Sequence, residues 1–498
     1  MIRRVSSEYH VGAEEGIAAF IGKERLEKYR NIFPLLAILQ TKANLRTDMV
    51  DVMGRLCWGD MVIPYGRTAG KALLHFLGSF ILYVHVWVST LGRKRAYAEG
   101  KSVCLFSNTF VDSKRYPAVL KEIRETYGLQ TIVAACDALK SGNGSIIVSL
   151  RRSLKDNHGT YRPIFFLGSS IEGYRLNKLI EQWCHIFIDY QSGRKPDYAQ
   201  VDSLLDKMST EYNKRIQKIK KAINNYNIEA YITVNQYNLR DVMIIHACYQ
   251  LGIRTIQLEH HAAQFSRINY SEINKWNRYA FAQEYCVWSE SEKKFHNKVF
   301  EYKNLLERKK KPIIRVVGNI EVTYQQACQM IQKYPMERRL TFMTSALEEE
   351  DLDTPDQRAE IEKWRWCIFH ELKILMERQN VTIRIRYTPF FEMQFREKEI
   401  PVLKQWGFEI SESVPENLMD DMCSSMAIMS TTSTVLATAR VFGRKTFRLE
   451  DPAVDYIQVD PKVIDISLED ISNIEFDEMI VPDELNINDF FRFDKMLN

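Results

Sequence analysis

The sequence predicts an α/β protein: two doubly wound, Rossmann-like domains facing a cleft, preceded by a helical N-terminal extension. Three observations predict it. From about residue 101, short apolar runs alternate with amphipathic stretches, the rhythm of parallel strands covered by helices. That rhythm runs twice, with a break near residues 320–337. The chain has 498 residues, and at about 100–200 residues per domain it is too long for one core.

The elements follow in order. Residues 1–98 read as a mostly helical extension, with apolar positions at three and four spacing in "GIAAFIGKERLEKYRNIFPLLAILQ". Residues 99–325 form the first α/β domain. "KSVCLFSNTF" is a strand ending in Ser-Asn-Thr, "YPAVLKEIRETYGLQ" a helix and "TIVAACD" a strand. After a long charged helix come "IEAYITVNQ" as a strand and "LRDVMIIHACYQLG" as a helix closed by Gly252. The strands "RTIQLEHHAAQ", "YCVWSE" and "PIIRVVGNIE" complete that domain. Ser289 and Glu292 have capping-box spacing at the helix after "YCVWSE". "EVTYQQACQMIQKYP" reads as a connecting helix. Residues 326–498 form the second domain, with strands at "RRLTFMTSAL", "VTIRIRYTPF", "GFEISES" and "AIMS", and a terminal helix.

Composition excludes several classes. Lys and Arg total 68 against 64 Asp and Glu, a net charge of +4. That balance is not the footprint of a nucleic-acid binder. Nine cysteines are scattered with no Cys-x-x-Cys pair, which fits reduced thiols in a cytoplasm and no zinc site. No G-x-G-x-x-G and no Walker motif is present, so neither a dehydrogenase nor a P-loop enzyme is expected. The N-terminus lacks the apolar core of a secretory signal. The stretch "ALLHFLGSFILYVHVWVST", Ala72–Thr90, is uncharged over 19 residues, with Lys71 before it and "GRKR" after it. His75, Gly78, Ser79, His85 and Ser89 put a polar stripe along it. It reads as an interfacial membrane helix, a buried core helix or a true span.

Ligands of doubly wound sheets bind outside the carboxyl ends of the strands, so the residues just after strands are the candidates. "AIMSTTSTVLATAR" crowds five hydroxyl residues, Ser430–Thr434, between a strand and a helix. Thr432, Ser433 and Thr434 can cap the helix, or cap it and hold a phosphate as well. Arg384 and Arg386 alternate on one strand and so share a face. They offer either a bidentate phosphate clamp, with Thr388 adding a hydroxyl, or an ordinary solvated face. Glu259, His260 and His261 end another strand. A histidine there can act as general base, its basicity raised by the adjacent carboxylate, or can be a hydrogen-bonded structural residue. Ser107, Asn108 and Thr109 follow the first strand and either line the acceptor side or make a turn. No metal site is expected.

An apolar strand, a Ser/Thr turn and a helix ending in "FGRKTF" resemble the donor-binding segment of GT-B glycosyltransferases. Closest are those of bacterial surface (capsular) polysaccharide synthesis, with the related polyol-phosphate transferases and sialyltransferases. "YNIEAYITVNQ" through "LEHH", "YCVWSE" through "VVGNIE", and "VTIRIRYTPF" match in order, over about residues 225–450. The resemblance implies metal-independent, inverting transfer from a nucleotide-activated sugar to a glycan or lipid-linked acceptor, with no further cofactor. It implies His260 or His261 as base, and Arg384, Arg386 and the Ser433–Thr434 turn on the donor phosphates. It places the protein in the cytoplasm, at the inner membrane face if 72–90 is interfacial. Three departures stand out: Thr438 where many relatives carry a ribose-binding Glu, Thr388-Pro389 for a His-Pro pair, and His260-His261 for His-Gly. They leave open polyol-phosphate transfer from a CDP-alcohol, and a degenerate, non-catalytic binding module.

Overall fold

The computed structural model describes residues 13–44, 103–107, 130–135, 163–165, 169–224, 228–234, 239–259, 265–266, 281–299, 312–344, 355–387, 393–411, 417–431, 435–450, 456–457, 462–477, 485–492 and 494–497. The apolar 72–90 stretch lies outside them. Among the described residues no helix is long and apolar enough to cross a membrane.

Helices α1 (Ala13–Ile21), α2 (Lys23–Lys28) and α3 (Phe33–Asn44) open the chain. Strands β1 (Val103–Ser107), β2 (Gln130–Ala135) and β3 (Pro163–Phe165) precede the long helices α4 (Ser169–Gln191) and α5 (Tyr198–Ile223). Then come β4 (Ile228–Thr233), α6 (Leu239–Gln250), β5 (Arg254–Leu258), β6 (Phe265–Ser266), β7 (Glu284–Val287), α7 (Glu290–Val299) and β8 (Ile313–Val316). Helix α8 (Tyr324–Lys333) connects to β9 (Glu337–Met343), α9 (Pro355–Gln379), β10 (Thr382–Arg386), α10 (Met393–Gln405) and β11 (Glu409–Ser411). Next are α11 (Leu418–Cys423), β12 (Ser425–Ser430), α12 (Val435–Val441), β13 (Lys445–Leu449), β14 (Tyr456–Ile457), β15 (Ile464–Ile466) and α13 (Asp494–Leu497).

Two sheets result. The first runs β3-β2-β1-β4-β5-β7-β8 and the second β11-β10-β9-β12-β13-β15. Every pairing within them is parallel. The strands read as near-continuous apolar runs because both faces are covered: all four residues of β7 are buried, and so are the last four of β5. In the second sheet, Ile383 and Ile385 pack with Phe369 and Leu372 of α9 on one face. Met343 and Ile428 pack with α8, α11 and α12 on the other.

Local sequence explains the element ends. Gly252 sits at φ 72°, and the Ile253 N–H donates to Cys248 O at 2.9 Å, which closes α6 as the glycine predicted. Asp197 caps α5 through the Ala199 N–H at 2.9 Å. Thr323 and Gln326 form a reciprocal capping box on α8, the connecting helix.

The described helices of the N-terminal stretch pack into the first unit. Phe20 meets the rings of Trp183 at 5.0 Å and Phe187 at 5.2 Å, both on α4. Arg25 pairs with Asp202 at 2.9 Å, and the Tyr29 hydroxyl donates to Asp206 at 2.8 Å, both on α5. One apolar core therefore runs from α1 through α6.

Candidate functional site

Strand order locates the site. In the first sheet, β2 and β3 lie on one side of β1 and β4 on the other; in the second, β10 and β11 lie on one side of β9 and β12 on the other. The winding thus reverses between β1 and β4, and again between β9 and β12. Those are the topological switch points, where adjacent loops part and leave a crevice. Ser107 is the last residue of β1 and Ser430 the last of β12. Both hydroxyl-bearing turns singled out in the sequence therefore begin at a switch point.

At the second of these, the Ser430 hydroxyl donates to Met343 O at 2.8 Å and is fully buried. The first of the five hydroxyls thus fastens β12 to the end of β9. Thr431 is buried as well. Beside them, the Thr344 N–H donates to Arg386 O at 2.9 Å. Thr432, Ser433, Thr434, Thr388, Asn108 and Thr109 lie outside the described residues.

Glu259 leaves β5 in a fixed direction. Its N–H donates to Cys286 O at 2.8 Å, and its carbonyl accepts the Trp288 indole N–H at 2.6 Å. The residue is buried. His260 and His261, next in the chain, lie outside the described residues. One strand over, the Glu292 N–H donates to Ser289 Oγ at 3.2 Å, the predicted cap of α7. The Glu292 carboxylate accepts the Trp288 N–H at 2.6 Å, so its role is to close the helix start.

Arg384 and Arg386 do share a face, and what they share on it is a carboxylate. Arg384 Nη1 reaches Asp421 Oδ1 at 2.8 Å, and Arg386 Nη1 reaches Asp421 Oδ2 at 2.5 Å. Ser411 Oγ donates to the same Oδ2 at 2.5 Å. Glu409 takes a second contact from Arg384 at 2.8 Å. Burial works against the Arg384 charge, but Asp421 and Glu409 outweigh it and raise its pKa. Arg339 extends the network, pairing with Glu337 and with Glu409 at 3.3 Å. Three arginines and three carboxylates thus balance across β9, β10, β11 and α11. The arginines expected to form an anion clamp hold α11 against the sheet.

Tyr387, which follows Arg386, is anchored as firmly. Its hydroxyl donates to Glu399 Oε2 at 2.9 Å, and Arg365 holds both Glu399 oxygens at 2.7 Å. Arg365 also lies over the Phe395 ring at 5.0 Å.

Thr438 is fully buried in α12. Its hydroxyl donates to Glu321 Oε2 at 2.7 Å and accepts from Asn319 Nδ2 at 3.2 Å. A carboxylate does stand at this helix, then, but the segment after β8 supplies it. Asn319, Glu321 and Asp421 were missed in the sequence. The only signal for the first two is their place just after a strand, in "VVGNIE"; Asp421 has none.

Among the described residues no group of three or more His, Cys, Asp or Glu is placed to hold a metal ion. No protein-family model matches the sequence, and no curated protein does. Solved structures give distant likenesses. The UDP-GlcNAc 2-epimerase from Methanocaldococcus jannaschii is 11% identical, with 79% of this chain and 97% of that one covered and a TM-score of 0.41. MnaA of S. aureus with UDP is 12% identical, covering 75% and 86%, at 0.40. MurG from Acinetobacter baumannii is 12% identical, covering 76% and 88%, at 0.35. Values this low carry no assignment, and the architecture stands on this chain's own strand order.

Proposed function

We propose that the protein is a GT-B-like glycosyltransferase. It moves a sugar from a nucleotide-activated donor to a glycan or lipid-linked acceptor in surface-polysaccharide synthesis. One observation carries the reading: each of the two parallel sheets has a hydroxyl-bearing turn leaving its switch point, at Ser107 and at Ser430. In this reading the turn 432–434 holds the donor phosphates through hydroxyl and backbone N–H groups. His260 or His261, delivered by the buried Glu259 at the end of β5, removes the acceptor proton. Residues 107–109 face the acceptor. The reaction is inverting and draws on no metal, and residues 72–90 bring the enzyme to the inner membrane face.

The sequestering of Arg384 and Arg386 by Asp421 favours a second reading, a binding module without catalysis. A thermal-shift panel with UDP, GDP, CMP and CDP, followed by activity of a His260→Ala/His261→Ala double variant, separates the two. A ligand that binds only the folded state raises its apparent stability by about 2.7 kcal/mol at a hundredfold excess over Kd. A shift with one nucleotide and loss of transfer in the variant are expected. CDP as the shifting nucleotide redirects the reading to polyol-phosphate transfer. A shift with unaltered cellular polysaccharide in the variant makes the chain a binding module. No shift with any nucleotide overturns the transferase reading.

A further inference from the structure

Between α8 and β9 the chain carries a methionine that faces solvent and a buried cation at once. Met336 is 41% exposed, and among the described residues no other methionine is exposed. Its Sδ accepts from Arg444 Nη1 at 3.1 Å. Arg444, just before β13, is itself only 6% exposed. Its Nη2 donates to Cys423 O, at the end of α11, at 2.7 Å, and its Nε is buried with no acceptor.

Other buried arginines of this unit are paired with carboxylates: Arg365 with Glu399, Arg386 with Asp421 and Arg448 with Asp465. Among the described residues no carboxylate pairs with Arg444; its bonds go to the Met336 sulfur and the Cys423 carbonyl. Burial lowers the Arg444 pKa, and the neighbouring Cys423 thiol offsets that only in part. A guanidinium taken out of water needs strong acceptors. A thioether is a weak one. It is also the one group in this contact that a simple oxidation improves, because a sulfoxide oxygen is a strong acceptor on the same side chain.

We propose that Met336 is an oxidative modification site and that Arg444 holds the product. The oxidant is a peroxide. A sulfur lone pair attacks one peroxide oxygen, and the S–O bond forms as the O–O bond breaks. The departing hydroxide takes the proton of the transferred hydroxyl and leaves as water, so sulfur loses two electrons and the peroxide gains them. Methionine is unbranched, and rotation about its last bonds turns the new oxygen onto Nη1. Oxidation of a methionine usually disrupts packing. Here the polar product meets a buried donor, so the modified chain is the more stable one. The effect is local to the start of β9, the end of α11 and the start of β13, where the Glu337 N–H already donates to Ser424 O at 2.8 Å.

Hydrogen peroxide treatment of the full chain, with peptide mass mapping and then urea unfolding, tests it. The sulfoxide is expected at Met336 at least about fivefold faster than at Met422 and Met429, which are fully buried. The oxidised protein is expected to have a higher urea midpoint than an equally oxidised Met336→Leu variant, equivalent to about tenfold in the folded-to-unfolded ratio. Met336→Gln offers an amide oxygen at similar reach without any oxidant. It is expected to exceed Met336→Leu by a similar factor, and both replacements sit at an exposed position where substitution costs little. Oxidation at Met336 no faster than at the buried methionines overturns the site. An equal or lower midpoint for the oxidised protein, or equal stability of the Gln and Leu variants, overturns Arg444 as the holder of the product.

Discussion

Asp421 accepts from two arginines and a serine in the second sheet. Its removal as a charge leaves Arg384 and Arg386 with one carboxylate fewer. Breaking a buried pair from one side costs about 3–5 kcal/mol, so Asp421→Asn is expected to lower the urea midpoint by that equivalent. A loss below about 1 kcal/mol would place the network in the solvent-screened class instead. His246 makes a pH prediction. Its Nε2 lies 3.1 Å from Gln250 Nε2, and Gln250 Oε1 is held by Lys220 at 3.2 Å. That orientation makes Nε2 the acceptor and puts the proton on Nδ1, which faces the Tyr212 hydroxyl at 3.1 Å. Burial, with Lys220 adding to it, lowers the His246 pKa to about 4, and burial lowers that of His296 to about 4. From pH 6.5 downward the unfolded chain binds protons that the folded one refuses. Stability is thus highest above pH 6.5 and falls as pH drops towards 4, by up to about 1.4 kcal/mol per unit for each histidine. Unfolding midpoints between pH 7 and about pH 5 should fall, and His246→Gln should flatten that slope by about half. An unchanged slope in the variant would remove His246 as its source.

Short elements here are held by their ends. The segment after β8 touches α12 through Asn319, Glu321 and Thr438, and the C-terminal segment is threaded against Gly318. Gly318→Ala combines a left-handed φ with a collision against backbone, so neither neighbour can yield cheaply. An unstrained glycine-to-alanine replacement stabilises by about 0.4–1 kcal/mol; here the sign is expected to reverse, with a loss larger than that gain. The substitution should also detach 489–497, seen as rapid proteolytic trimming of the C-terminus. Wild-type resistance to trimming in this variant would mean that the crossing is not where the segment is held. At the base of the first sheet, burial pushes the Glu284 carboxyl up, but hydrogen bonds from Arg254 and Arg315 outweigh it and hold the pKa below the usual range. Its contribution is therefore present above the unfolded value and is lost as pH falls through the folded one.

At the scale of the whole molecule, two parallel sheets wound in the same order set two switch points. The nucleotide panel asks what they hold. A nucleotide that binds across the crevice is expected to slow amide hydrogen exchange in the antiparallel β6–β14 ladder more than in the core of either sheet. Slowing confined to the second sheet would mean the ligand contacts one unit only.

Sequence alone determined the local grammar of this protein. The apolar runs, the Gly252 stop, the Ser289–Glu292 start and the shared face of Arg384 and Arg386 follow from periodicity and backbone sterics within a few residues. The two turns of chemical interest were legible for the same reason, as hydroxyls just after apolar runs. Tertiary structure decided the order of the strands, and so which turns lie at switch points. It also decided what each charged group faces. Asp421 is 35 residues from Arg386, and Glu321 is 117 residues from Thr438. No local pattern encodes such a pairing, because it depends on where helices cross sheets. The departure at Thr438 was visible as a missing carboxylate, and only the fold showed that the segment after β8 brings one to it.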